Sequence, residues 1–386
     1  MPPSNVRSLV IVGGGLNGLA TLFHALRLGA QRPLLIERFQ LGHDRGSSHG
    51  PSRIARSTYP HAGYVRLMRA TFAEEWPRLE RAAGEPLLFR SAGLFFGPEN
   101  GPIASYAKAV KEAGAEVDEL DLQHARTLFP MLRFGDCRFV LHDRTAALIA
   151  SARVMRALER VSRAGGAEFQ VGTRVLGIDP TRDPIRIETD RGEVLAERVV
   201  VTAGPWASGL VAALAPRVFA ARQNLAYFEL EGAHEEFRVG RFPVFARLGL
   251  GDNDFYYGLP EFDHPGVKIA RHVTRGRDDD PETPPGAYDE DAIEDLRAFA
   301  IRELIPAVRG LAGADTCMYT CTANEDFVLA PHPENRRLII GSGCSGHGFK
   351  FGPMLGRILA ELALWGDCRL PEYQALRAEF SLGGRA

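Results

Sequence analysis

Three glycines at fixed spacing, Gly13, Gly15 and Gly18, are the first residues in the chain arranged for chemistry. In a Gly-x-Gly-x-x-Gly pattern after a strand, the first glycine permits a tight turn. The second lets backbone N–H groups approach a pyrophosphate, and the third lets the helix pack closely on its sheet. The helix N-terminus adds partial positive charge for the phosphates. Glu37 closes the next apolar run, 19 residues after Gly18, where a carboxylate can accept from ribose hydroxyls. Together these residues predict a dinucleotide site without choosing between FAD and NAD. Arg38 raises the case for a 2′-phosphate, but directly after an acidic residue it reads as a solvated loop charge. Further on, Lys350 sits between Phe349 and Phe351 after Gly346-His347-Gly348, an unusual place for a solvated lysine. Arg56, Lys268 and Cys317 also carry reactive groups. Taken singly they read as a surface charge, a strand-edge lysine and a small buried hydrophobe.

The elements that must position these residues follow from periodicity. A strand at 8–12, a helix over 16–28 stopped by Gly29, and a strand at 33–37 make one βαβ unit. The stretch 42–60 is rich in Gly, Ser, His and Arg and has no apolar period; loops of that length inside a compact enzyme are usually functional. Further helices are expected at 64–83, 103–113, 149–164, 291–305 and 353–365. Strands are expected at 87–96, 168–175, 185–189, 194–201, 338–341 and, in alternation, within 223–273. An acidic turn follows 113, and a Pro- and Asp-rich segment spans 277–288. The strand ending at 201 and the closing strand–helix pair look like further parts of the first unit. The dinucleotide domain is then discontinuous, interrupted by a strand-rich domain.

The 386 residues are long for one core and comfortable for two interlocked domains. A net charge of −2 gives no basic field for nucleic acid or acidic membrane. No apolar run approaches the ~20 residues of a membrane span, and residues 1–7 lack the shape of a signal peptide. Five cysteines without a C-x-x-C pair argue against a disulfide scaffold or a zinc site. The expectation is a cytoplasmic enzyme with no metal and no nucleic-acid or membrane partner.

Four further segments narrow the cofactor: Ser48-His49-Gly50-Pro51-Ser52-Arg53-Ile54-Ala55-Arg56, Val201-Thr202-Ala203-Gly204-Pro205-Trp206, Cys317-Met318-Tyr319-Thr320, and Gly346-His347-Gly348-Phe349-Lys350-Phe351. In order with the glycine fingerprint, they resemble the D-amino-acid-oxidase-like flavoprotein family. Within it the match is to the monomeric sarcosine oxidase and N-methyltryptophan oxidase branch, over nearly the whole chain. The resemblance implies an α/β plus α+β fold. A discontinuous Rossmann-type FAD-binding domain would comprise 1–80, 145–220 and 315–386. A substrate domain with a mixed or antiparallel sheet would comprise 81–144 and 221–314. It implies extended FAD with its ring between the domains, and oxidation of the C–N bond of a secondary amine or an N-methyl or imino amino acid. Hydride would pass to flavin N5, O2 would re-oxidise the flavin to give H2O2, and the imine would hydrolyse in water. A monomer is implied as well.

By the same resemblance, Cys317 bonds covalently to the flavin 8α-methyl, a reaction that depends on thiolate character. Cys321 is an alternative thiol, and Cys137, Cys344 and Cys368 read as structural. Arg56 and Lys350 clamp the substrate carboxylate as a planar fork and a point charge, orienting the C–N bond. Lys268 holds its ammonium over the flavin and promotes reaction with O2 electrostatically. His272, Tyr257 and Tyr319 line the substrate pocket, with core packing the other reading for Tyr256 and Tyr319. His49, Ser52, Arg53, Val175, Gly204, Gly346, His347, Gly348 and Lys350 are placed against the cofactor. The branch usually has Asp-Thr where this chain has Pro51-Ser52, which keeps a hydroxyl but loses a charge and an N–H. No carboxylate base stands at a motif position. The amine is therefore expected to bind deprotonated, its pKa lowered by Arg56, Lys350 and Lys268. Three alternatives stay open. They are a dehydrogenase using an acceptor other than O2, which Lys268 argues against, an oxidase of a cyclic, pipecolate- or proline-like imino acid or of a larger N-alkyl amino acid, and a flavin-binding module without activity.

Overall fold

The computed structural model describes residues 6–251, 253–275, 279–284 and 286–383. Residues 1–5 of the polar lead, 277, 278 and 285 of the Pro- and Asp-rich segment, and 384–386 lie outside the described residues.

Short, wholly apolar strands belong in the middle of a parallel sheet, where both faces are covered. Val10–Val12 and Val199–Val201 are such strands and lie side by side at the centre of a six-stranded sheet. The order runs Glu168–Val171, Leu34–Glu37, Val10–Val12, Val199–Val201, Leu338–Ser342, Val328–Pro331. All pairings are parallel except the last, an antiparallel edge. The helix Leu16–Arg27 leaves the central strand and packs on the closing helix Gly352–Trp365. Contact is close because a Cβ on Gly356 would run into the Ala20 backbone, and one on Gly352 into Leu16.

A second sheet of eight strands faces the first across the cavity. Its order is Val308–Thr322, Val218–Leu230, Val267–Arg271, Phe255–Leu259, Val244–Leu248, Gly93–Pro98, Cys137–Asp143, Val117–Asp121. Its other side carries the helix Glu290–Glu303, whose Leu296 and Phe299 join a core with Phe228, Phe245 and Ile269. A four-stranded sheet packs beside the first, and a small three-stranded one ties Arg53–Ala55 to Ala147–Ile149 and Leu88–Arg90.

Several expected elements are revised. The single helix over 64–83 is Ala62–Ala70, a π turn Thr71–Glu75, and Trp76–Ala83. Pro77 brings no N–H to the ladder there, and the widened turn holds the fully buried Glu75. The acidic turn after 113 is instead the edge strand Val117–Asp121, whose charges suit an exposed edge. The strand over 168–175 is two strands in different sheets, divided by Gly172 at φ +66°. The strand over 194–201 is also two, Gly192–Ala196 and Val199–Val201. The structureless loop 42–60 contains the strand Arg53–Ala55. Periodicity did not reveal Val308–Thr322, because Gly310 and Gly313 interrupt it; pairing with Val218–Leu230 along its length makes it a strand. The strands Cys137–Asp143, Ala147–Ile149 and Val328–Pro331 were not expected either.

Candidate active site

The sheets enclose a cavity of about 950 Å³, at the upper end of the size range for small-molecule and cofactor sites. It runs from the first turn of the helix Leu16–Arg27 to the inner face of the eight-stranded sheet. At the nucleotide end it is lined by Gly13, Gly15, Glu37, Arg38, Val175, Gly204 and Trp206, among others.

The three glycines have separate reasons. Gly13 sits at φ +104°, and a Cβ there would come within 2.5 Å of the Thr202 carbonyl oxygen. A Cβ on Gly18 would run into the Gly13 carbonyl. At Gly15 a Cβ would meet only Ser48 Oγ, at 3.3 Å. Its open side faces the cavity, where a side chain would take up space for a ligand at little cost to the fold. Glu37 accepts from Gly14 N at 2.6 Å and from Phe39 N at 2.7 Å, which fastens the turn. An open glycine at a helix N-terminus, with an acidic residue ending the next strand, fits a dinucleotide.

Arg38 is not a solvated charge. It forms a two-pronged ion pair with Glu282 at 2.6 and 2.7 Å and lies over Phe39 and Trp206 on the cavity wall. Gly18 and His49 stand behind the wall; Gly18 packs helix on sheet, and His49 Nε2 bonds the Thr316 carbonyl at 2.9 Å.

At the other end the chain brings Arg56, Tyr257, Lys268, His272, Cys317, Tyr319, His347 and Lys350 to one chamber, with Ser52, Arg53, Gly346 and Gly348 at its border. Arg56 is 6% exposed and stacks on Tyr59, 4.2 Å from the ring centre, with Phe95, Tyr106 and Phe255 around it. Its Nη1 is buried and has no hydrogen-bond partner among the described residues. An orphaned guanidinium nitrogen is costly unless a ligand completes it. Lys350 Nζ donates to Tyr59 Oη at 3.1 Å and to His347 O at 2.9 Å, leaving one of its three N–H groups. Burial, then the Arg56 charge, push its pKa well below the usual lysine value. Trp76 Nε1 donates to the Lys350 carbonyl at 2.9 Å and anchors its backbone.

Lys268 lies in an interior strand of the large sheet and is 2% exposed, so it is no strand-edge lysine. Its Nζ donates to Ser52 O at 3.2 Å. Burial, followed by the Arg53 charge, brings its pKa down to about 7. Arg53 is spent on the loop, donating to the carbonyls of Ser47, His49 and Ser52. Burial pushes the Cys317 thiol up, while Arg53 and Lys268 oppose the rise. Cys321 is buried away from the cavity, whereas Cys344, expected to be structural, lines it and accepts from Asn17 Nδ2 at 3.2 Å. Tyr257 and Tyr319 face each other with hydroxyls 3.5 Å apart, and Tyr256 packs on Phe299 instead.

Four residues here carried no recognised signal. Tyr59 and Tyr106 wall the Arg56 pocket. Asp143, fully buried, accepts from Ser57 N, Thr58 N and Thr58 Oγ1 and holds the segment bearing Arg56. Glu325, a carboxylate outside every motif, also lines the chamber. Burial pushes its carboxyl up, but His272, Thr274 and His347 prevail and hold it at about 2. The long loop made Tyr59 findable. Asp143 lay in an unrecognised strand, and Glu325 in an ordinary-looking Asn-Glu-Asp.

The sequence profile described as FAD dependent oxidoreductase matches residues 8–362. A peroxisomal sarcosine oxidase of Mus musculus is 32% identical over 92% of this chain and 91% of its own length. A monomeric sarcosine oxidase of Bacillus sp. is 31% identical over 93% and 92%. Among solved structures, NikD, described as an unusual amino acid oxidase essential for nikkomycin biosynthesis, superposes with a TM-score of 0.81. It is 23% identical and covers 95% of this chain and 96% of its own, a likeness of fold.

Proposed function

This chain belongs to the FAD-dependent oxidoreductase family, and we propose that it oxidises the C–N bond of a secondary amine bearing a carboxylate, such as an N-methyl amino acid. The observation that carries this reading is the buried Nη1 of Arg56, unpartnered among the described residues, in the same chamber as Lys350, whose ammonium has one N–H left by the described bonds. Two cations held around one ring, Arg56 4.2 Å and Lys350 5.6 Å from the centre of Tyr59, match the two oxygens of a carboxylate. Holding that group orients the neighbouring C–N bond in the chamber. The same cations disfavour a protonated amine, so the substrate reacts as the neutral base.

FAD, when bound, would accept the hydrogen and electron pair of a C–H bond next to the nitrogen, leaving the C–N bond as an imine, and pass them to O2. Gly13 to Gly15, Glu37, Val175 and Gly204 would hold its nucleotide half, and Ser52, Arg53, Gly346, His347 and Gly348 line the cavity where the flavin end would lie. Lys268 supplies a buried positive charge where O2 is reduced, which supports an oxidase forming H2O2 over a dehydrogenase. Cys317 is the proposed attachment point, since its thiol lines the cavity and the nearby Arg53 and Lys268 charges oppose the rise that burial imposes on it. His272, Tyr257 and Tyr319 shape the substrate side. The six-stranded sheet belongs to the cofactor domain and the eight-stranded one to the substrate domain. Five free cysteines suit a reducing cytoplasm, and we assign a monomer. Among the described residues no helix is long and apolar enough to cross a membrane.

The test is oxygen uptake by the yellow enzyme with N-methyl amino acids, cyclic imino acids and the matching amines lacking the carboxylate. Uptake with peroxide formation from the acids, and at least ~10-fold less from the decarboxylated amines, is expected from the loss of a charge-assisted contact. Equal activity on both sets would refute the clamp. Flavin remaining with an acid-precipitated pellet, and released in Cys317→Ala, would confirm the attachment.

A further inference from the structure

Glu325 stands in the turn after Val308–Thr322 with φ +63°, a left-handed conformation rare outside glycine, Asn and Asp. The turn is held by Glu325 N donating to Thr322 O at 3.2 Å, and by Thr322 Oγ1 donating to Asp326 O at 2.8 Å. It aims two acceptors of one residue at two histidines. The Glu325 carbonyl is 2.9 Å from His347 Nε2, and carboxylate Oε2 is 3.4 Å from His272 Nε2. The other carboxylate oxygen takes the Thr274 hydroxyl at 2.6 Å.

A carbonyl oxygen only accepts, so His347 carries its proton on Nε2 and presents a lone pair at Nδ1. Tyr59 Oη, 3.2 Å from Nδ1, then donates to it. The Tyr59 oxygen is left to accept from Lys350 Nζ at 3.1 Å. Every proton between Lys350 and Glu325 therefore has an assigned direction. With a second N–H of Lys350 spent on His347 O, the ammonium form, which an incoming carboxylate favours against the downward pull of burial and Arg56, has its third N–H left to point into the chamber.

We propose that Glu325 is a positioning residue whose carbonyl, held by the left-handed turn, fixes the His347 tautomer and through Tyr59 aims the free N–H of Lys350 at the substrate carboxylate. The proposal rests on the assignment of Arg56 and Lys350 as the carboxylate clamp. The opposite tautomer would put a donor at Nδ1 and turn the Tyr59 hydroxyl away, rebuilding the clamp. The charged and titratable groups facing His347 are Lys350, Glu325, His272, Tyr59 and Tyr64; Phe327 and Phe351 close round the ring. Burial, then Lys350, lower its pKa to about 3, which keeps the ring neutral.

The first experiment is NMR of the 15N-histidine-labelled holoenzyme, with His347 assigned by its loss in His347→Asn. A neutral ring protonated on Nε2 between pH 6 and 8 is expected, and an Nδ1–H or charged ring would overturn the proposal. The second compares Glu325→Gly, which keeps the left-handed backbone, with Glu325→Val, which disfavours it; both lack the carboxylate. Acetate binding, read from the flavin spectrum, should weaken at least ~10-fold more in the valine variant, as for a lost charge-assisted hydrogen bond. Equal binding by two folded variants would overturn the proposal. If the valine variant does not fold, the tautomer decides. Acetate that fails to perturb even the unmodified enzyme would instead count against the clamp.

Discussion

Replacing Lys268 with methionine should make the protein more stable at neutral pH. The lysine is 2% exposed, and its pKa falls from the ordinary 10.5 to about 7, mainly through burial. At 1.36 kcal/mol for each tenfold step, protonated Lys268 costs the folded state roughly 5 kcal/mol. The sign follows from linkage. Because the folded pKa is lowered, the unfolded chain binds the extra proton between about 7 and 10.5, and stability rises with pH across that window. The penalty is full below pH 7 and vanishes above 10.5. Methionine has a similar length and no charge; it loses the bond to Ser52 O, worth about 1 kcal/mol, and the distant 5.9 Å approach of the ammonium to the Tyr227 ring. Lys268→Met should therefore gain about 4 kcal/mol over the unmodified holoenzyme near pH 6.5 in urea unfolding. The gain should shrink by about 1.4 kcal/mol per pH unit above 7 and be near zero by about 9.5. Oxidation of the reduced variant by O2, followed by stopped flow, should be slower. A stability difference independent of pH, or a less stable variant at pH 6.5, would refute the burial account of this lysine.

Gly15→Ala and Gly18→Ala should part company. The first has only Ser48 Oγ near its new Cβ and should fold but bind FAD weakly, whereas the second meets the Gly13 carbonyl and should lower stability itself by about 1–3 kcal/mol. Apoprotein melting and FAD titration separate the two. Arg56→Gln should raise KM for carboxylate-bearing amines roughly 10- to 150-fold, the equivalent of a charge-assisted hydrogen bond of about 1.5–3 kcal/mol, while leaving decarboxylated amines little changed. Steady-state kinetics on both substrate sets checks it. Asp143→Asn puts an NH2 against donors whichever way the amide turns, because one carboxylate oxygen accepts from Ser57 and Thr58 and the other from Thr145. It should cost about 1–3 kcal/mol in urea unfolding and raise KM by loosening the segment that carries Arg56.

Local chemistry made the nucleotide end legible. Gly13, Gly15, Gly18 and Glu37 act through backbone shape and contacts within one βαβ unit, so their spacing along the chain is nearly their spacing in space. The apolar strands at 10–12 and 199–201 were legible for a similar reason, since a strand buried on both faces needs apolar residues throughout. The family motifs placed Arg56, Lys268, Cys317 and Lys350, and the fold brings all four to one chamber.

What neighbours across the fold decide was hidden. Val308–Thr322 is a strand because Val218–Leu230 pairs with it, overriding its glycines. Arg38 looked solvated because Glu282, its partner, lies 244 residues away. Glu325 looked like any loop acid until the turn after the long strand set its carbonyl against His347. The sequence by itself determined the type of cofactor site and the residues able to do chemistry, because those depend on residue identity and short-range geometry. Only the tertiary structure decided which donors remain free, which charges are desolvated and in which direction the protons lie, because burial and hydrogen-bond partnership arise between segments far apart in the chain.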